Sequence, residues 1–232
     1  MKFPVDRMNT SSKGEEIAAL LRYEIISGQI KPGDTISENS VASLYNASRS
    51  PSREALKILK SEGLLELKRL GAEIVGMSLE DIEELNDIRF LVEGFAMKEC
   101  AKKQTASLVA SLNFIVEKMR IAIEEKDFVE LAFQDIAFHE AIIKASEHKR
   151  ILHLWNSIDK VIITALLIAT EKRLATEENF EEFLIQKHLN IIHSIKKGIP
   201  DEIESDLQEH FLDTRASVNR SVFTNNKVIK EE

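Results

Sequence analysis

The segment Asn46–Val75, NASRSPSREALKILKSEGLLELKRLGAEIV, admits few folds. Asn46 tolerates the left-handed backbone of a tight turn. Ser48 is placed to cap a helix, and Pro51 falls in that helix's first turn, where a missing N–H costs little. Leu56, Ile58 and Leu59 supply an apolar face, and Gly63 ends the helix. Leu65 and Leu67 then alternate with Glu66 and Lys68. A turn follows around Arg69-Leu70-Gly71, and Ile74 and Val75 complete a second strand. Arg49 and Arg53 are four residues apart, so they share a face on the opening turns of the helix.

Upstream, Ile17, Leu20, Leu21, Ile25 and Ile26 recur at helical spacing until SGQIKPGD interrupts them. Ser37 can cap a short second helix that packs through Val41 and Leu44. Three helices followed by a hairpin make a winged helix-turn-helix over residues 1–76. Such a motif aims the early residues of its second helix at base edges in the major groove. Arginine suits that role, because its fork can bond guanine O6 and N7 together or clamp a phosphate. Ser48, Ser50 and Ser52 add small donors, and Lys68 and Arg69 stand at the wing tip. On a merely solvated surface the arginines would instead pair with Glu38, Glu54 or Glu62. The order of turn, cap, proline, arginines, glycine and hairpin favours double-stranded DNA as the partner.

IISGQIKPGDTISENSVASLYNASRSPSREALKILKSEGLLELKRLGAEIV resembles the DNA-binding domain of GntR-family bacterial transcription regulators. The agreement runs through Gly28, Pro32-Gly33, Glu38, Ala42, Ser48-Arg49, Pro51, Arg53-Glu54-Ala55-Leu56, Leu59, Glu62-Gly63-Leu64 and Gly71-Ala72. The resemblance implies that Arg49 and Arg53 contact operator DNA, assisted by Ser48, Ser50 and the wing near Gly71. Asn46-Ala47 replaces a usual Gly-Val pair, and Ser52 replaces a usual valine.

From Ser78 onward the pattern is entirely helical. Helices are expected near 79–103, 105–125, 127–146, 148–173, 177–197 and 200–220. Gly198 and Pro200 separate the last two. The expected fold is thus mainly α: the winged helix-turn-helix, then an all-helical bundle of about six helices over 78–222, then a polar, frayed tail at 223–232. Residues 1–76 carry eleven Lys/Arg and ten Asp/Glu, so nearly all of the net charge of −8 rests on the remainder. A polyanion can approach only the first part.

Cys100 is the only cysteine, which fits a reducing cytoplasm. The N-terminus lacks the apolar core of a signal peptide. The apolar run from Val161 to Ala169 is too short to span a bilayer and reads as a buried helix. A cytoplasmic protein without a membrane partner is expected.

Asp135 and His139 are four apart on one helix, with His188 and His210 on two later helices. Such a set can close three or four metal positions inside a bundle. Spacing alone favours satisfied core histidines instead. SLEDIEELNDIRFLVEGFAMKECA, DIAFHEAIIKASEHKRI, KHLNIIHSIKKG and HF resemble, in order, the FCD ligand-binding domain of one GntR branch. That resemblance implies a divalent metal (Zn, Ni or Mn) held by Asp135, His139, His188 and His210. It also implies a small carboxylate effector, for which Arg89 is the candidate anchor, with Glu93 as its alternative partner at i+4. Arg150 and Arg173 are weaker candidates. A homodimer reading a near-palindromic operator is expected, most often as a repressor. The competing identity is a metal-dependent hydrolase, but no His-Glu-x-x-His, nucleophile elbow or P-loop is present, so no enzyme is expected.

Overall fold

The structure, a computed structural model, describes residues 3–69, 71–103, 106–176 and 180–223, with backbone alone for 172–176, 180–181 and 213–223. Leu70, the Arg173 side chain and residues 224–232 of the expected tail lie outside the described residues. The chain divides into two compact units, one reaching Leu79 and the other beginning at Glu80.

In the first unit, a short 3-10 turn at Val5–Arg7 precedes α1 (Lys13–Ile26), β1 (Thr35–Ile36), α2 (Glu38–Leu44), α3 (Arg49–Ser61), β2 (Leu65–Lys68) and β3 (Gly71–Ile74). Ser12 caps α1 through the Glu15 amide. Ser37 and Ser40 form a reciprocal capping box at the start of α2. α1 and α3 pack through Ile17, Leu21 and Ile25 against Ala55, Leu56 and Leu59, all buried. A nearly buried ion pair adds direction. Arg22 donates from Nε and Nη2 to both oxygens of Glu62, at 2.7 and 2.6 Å, fixing the end of α3 against α1. Asn46 adopts φ 48° in the turn between α2 and α3, as its side chain allows.

The sheet has three antiparallel strands in the order β1-β3-β2, so the wing hairpin is braced by Thr35–Ile36. Gly71 has φ 152°, and a Cβ there would lie 2.7 Å from the Ile36 carbonyl oxygen. Glycine is required at this position because strand β1 passes directly beside it.

Two local expectations differ from the structure. Leu44 is 65% exposed rather than packed inward, because α2 ends there and buries Val41 alone. Ser48 occupies the cap position of α3, but its side chain makes no capping bond. Ser52 is fully buried and donates its hydroxyl to the Ser48 carbonyl at 2.9 Å. The serine that replaces a methyl-bearing residue thus satisfies its own oxygen within the helix.

The second unit comprises α4 (Leu79–Ala101), α5 (Ala106–Glu124), α6 (Phe128–Ala145), α7 (Lys149–Thr176), α8 (Phe180–Lys197) and α9 (Pro200–Phe223). The expected mainly α fold with about six C-terminal helices is what forms. Asp127 caps α6, and Pro200 opens α9 after Gly198 at φ 72°. Val161 to Ala169 is buried on every face, so α7 runs through the bundle core, although it is long and apolar enough to cross a membrane by composition. Trp155, Phe138, Leu112, Ile195 and Leu207 anchor that core from five helices. The core-facing stripe of α4 runs Ile82, Asn86, Arg89, Val92, Glu93, Ala96, Met97 and Cys100. Two charged residues therefore sit within an apolar stripe.

Candidate nucleic-acid interface and metal centre

An open groove of about 390 Å³ in the first unit is lined by Ser37, Glu38, Arg49, Arg53, Lys68 and Arg69, among others. Helix α3 contributes the two arginines and the wing contributes Lys68, Arg69 and Gly71. Ser48, Arg49, Ser50, Arg53 and Arg69 are all exposed. Four cations on one concave face match the requirement for contacting phosphates and base edges.

One acid interrupts the groove. Glu38 accepts from Arg53 Nε at 2.7 Å and Nη2 at 3.0 Å, and from Arg49 Nη2 at 3.4 Å. The hydrogen bond from Arg53 holds the Glu38 carboxyl below the ordinary range. Of the three acids expected to compete for the arginines, only Glu38 holds them. Glu54 accepts from Ser12, and Glu62 belongs to Arg22. At the wing, Lys68 pairs with Glu66 and lies 3.9 Å from Glu73.

In the second unit, α6, α8 and α9 bring His139, His188 and His210 together, with one nitrogen from each lying within 4.8 Å of the others. Their ring centroids are 5.0 to 5.7 Å apart. Asp135, one turn before His139, places its carboxylate 3.5 Å from His188 Nε2 and 3.8 Å from His139 Nε2. All three histidines are buried, whereas His148, His153 and His193 are exposed. Of those, His148 accepts from the Ile151 amide at 3.2 Å and serves the start of α7.

Local bonds fix the chemistry of the cluster. His188 Nδ1–H donates to the Leu184 carbonyl at 2.8 Å, which leaves the lone pair of Nε2 facing Asp135. Burial pushes His188 down to about 4 and holds His210 well below its ordinary value. Both are therefore neutral imidazoles near pH 7. The Nε2 atoms of His139 and His188 are buried and have no hydrogen-bond partner among the described residues. Three imidazole nitrogens and a carboxylate are the donor set that a divalent transition metal takes, so the residues present fit a metal.

One contact beyond the sequence reading adjoins them. Glu93 of α4 lies 2.5 Å from His139 Nδ1 and accepts from Arg89 Nε at 2.9 Å. Burial raises the Glu93 carboxyl, but Arg89 and then His139 outweigh it, and the net shift is downward. The i+4 spacing on an apolar stripe is the signal that marks Glu93. The Arg89–Glu93 bridge forms, while Arg89 Nη2 is buried without a hydrogen-bond partner among the described residues. The Arg89 guanidinium also stacks 4.7 Å from the Phe211 ring centroid. Cys100 donates to the Ile142 carbonyl at 3.5 Å, and burial pushes its thiol up to about 11, the state of an unreactive packing residue.

Residues 13–73 match the model of bacterial regulatory proteins of the gntR family, and residues 84–213 match the FCD domain. The gluconate operon transcriptional repressor of Bacillus licheniformis is 36% identical over 218 residues, covering 93% of this chain and 89% of that protein. The protein of the same name from Bacillus subtilis (strain 168) matches equally. The HTH-type transcriptional repressor RspR of Escherichia coli (strain K12) is 27% identical over 96% of each chain. Among solved structures, E. coli McbR/YncC superposes with a TM-score of 0.68 at 20% identity, over 91% of this chain and 99% of that one, which shows a shared fold. The chain belongs to the GntR family of bacterial regulatory proteins, with an FCD domain: it is a DNA-binding transcription regulator, and its family and relatives are not enzymes.

Proposed function

We propose that this regulator is a homodimeric cytoplasmic repressor whose helical unit senses a small sugar acid through a metal-dependent site. Arg49 and Arg53 read bases from α3, Ser48 and Ser50 bond the backbone beside them, and Arg69 and the backbone at Gly71 reach phosphate from the wing. Asp135, His139, His188 and His210 hold a divalent metal. When bound, the ion supplies an open Lewis-acidic position for a carboxylate oxygen. The spare Nη2 of Arg89 meets the effector's carboxylate. Kinship with two proteins named gluconate operon repressors makes gluconate the first effector to test.

The observation that carries this reading is the group of three buried imidazoles with two unpartnered Nε2 atoms. A buried polar atom without a partner costs about 1–3 kcal/mol. Evolution rarely retains several in one cavity unless a ligand satisfies them. Switching requires the effector to bind one arrangement of the protein better than another. Helix α4 carries Arg89 and Glu93 and follows the wing directly in sequence, which makes it the natural transmitter.

The test is selection of binding sites from a random duplex pool, followed by titration of the enriched duplex with gluconate. A short near-palindrome is expected, released by gluconate only from metal-loaded protein. Release from metal-stripped protein would remove the metal from the mechanism. A non-palindromic site would argue against the dimer.

A further inference from the structure

Glu38 is an acid in a groove built to meet a polyanion. The other charged side chains around it, Arg49, Arg53, Lys68 and Arg69, are all cationic. A carboxylate there repels phosphate and weakens binding to every DNA sequence alike. Its geometry suggests what offsets that repulsion. Glu38 opens α2 within the Ser37–Ser40 capping box, so its backbone is fixed, and its side chain is only 27% exposed. It grips Arg53 side-on, through Nε and Nη2. A guanidinium held along that edge keeps Nη1 and the outer hydrogen of Nη2 free and coplanar. Those are the donors that meet guanine O6 and N7 end-on.

We infer that Glu38 is a positioning residue for sequence readout: it aligns the Arg53 fork, and more loosely Arg49, at the cost of general DNA affinity. The inference rests on the proposed role of the α3 arginines as base readers. An unrestrained arginine samples many rotamers and finds any phosphate, whereas a clamped one presents a single plane to the base. Glu38 thus trades non-specific attraction for discrimination.

The test compares the full chain with Glu38→Gln, Glu38→Ala and Arg53→Ala. Each is measured on the duplex enriched by the wild type and on a shuffled duplex of equal length and composition. Glu38→Gln and Glu38→Ala are expected to weaken the enriched duplex by about tenfold or more. Affinity for the shuffled duplex should hold or rise, with a steeper salt dependence. If both duplexes bind more tightly by the same factor, Glu38 is only a repulsive charge and the inference is overturned. If Arg53→Ala leaves the enriched duplex unaffected, the base-reading role fails and takes the inference with it. If Arg53→Ala loses specificity while both Glu38 variants keep it, the arginine reads DNA without help and only the Glu38 role falls.

Discussion

Two arginine–glutamate pairs, one in each unit, use the same chemistry in opposite environments. Arg53 and Glu38 are 55% and 27% exposed, while Arg89 and Glu93 are 2% and 1% exposed. Water screens the first pair, so it adds little stability and serves mainly to orient Arg53. Nothing replaces a partner of the second. Its carboxylate also faces His139, so that pair, the histidines and any effector charge are balanced together. The difference separates an exposed pair that sets the direction of one side chain from a buried network that responds only as a unit.

The largest effect should come from breaking the buried pair. Arg89→Ala leaves the buried Glu93 carboxylate without its guanidinium and is expected to cost about 3–5 kcal/mol of stability, measured by denaturant unfolding. Arg89→Met with Glu93→Leu should cost less than the sum of the single changes, because no lone charge is then buried. Additive losses would mean the two residues are not a coupled pair. Next comes acid sensitivity. His188 titrates near 4 in the fold against 6.5 unfolded, so between those values the unfolded chain binds the extra proton. Stability of metal-stripped protein should therefore fall as pH drops from 6.5 toward 4, by about 1.4 kcal/mol per pH unit for each such histidine. A flat profile would mean that the cluster is hydrated rather than buried.

On the exposed side, Arg53→Ala should lower affinity for the enriched operator by about tenfold or more with little effect on folding. Arg49→Ala should do the same to a smaller degree, since it sits farther from Glu38 and is more exposed. The smallest effect is that of Glu38→Gln on thermal unfolding, expected to be nearly nil. A large drop in melting temperature there would erase the contrast between the two pairs.

Most helices were legible because strong local punctuation brackets them. Ser37, Asn46, Gly63, Gly198 and Pro200 each act where the sequence places them. Strand β1 was not legible: two residues, Thr35 and Ile36, carry no period, and only pairing with β3 defines them. Leu44 was misplaced because apolar spacing cannot tell the last turn of a seven-residue helix from its middle. At the candidate metal centre the histidine set was named from resemblance and i,i+4 spacing, and the fold brings those three histidines together. Burial of His139, His188 and His210, against exposure of the other three histidines, is a tertiary property that no spacing carries. Glu93 was legible as a partner for Arg89, but its approach to His139 depends on how α4 meets α6, which one sequence does not encode locally.

The most direct test is a calorimetric titration of Zn²⁺ or Ni²⁺ into chelator-stripped full-length protein, with His188→Ala beside it. One tight site per chain is expected in the wild type, absent or severely weakened in a folded His188→Ala protein. No tight site in the wild type, or an undiminished one in the variant, would contradict a metal-dependent sensor built on these histidines.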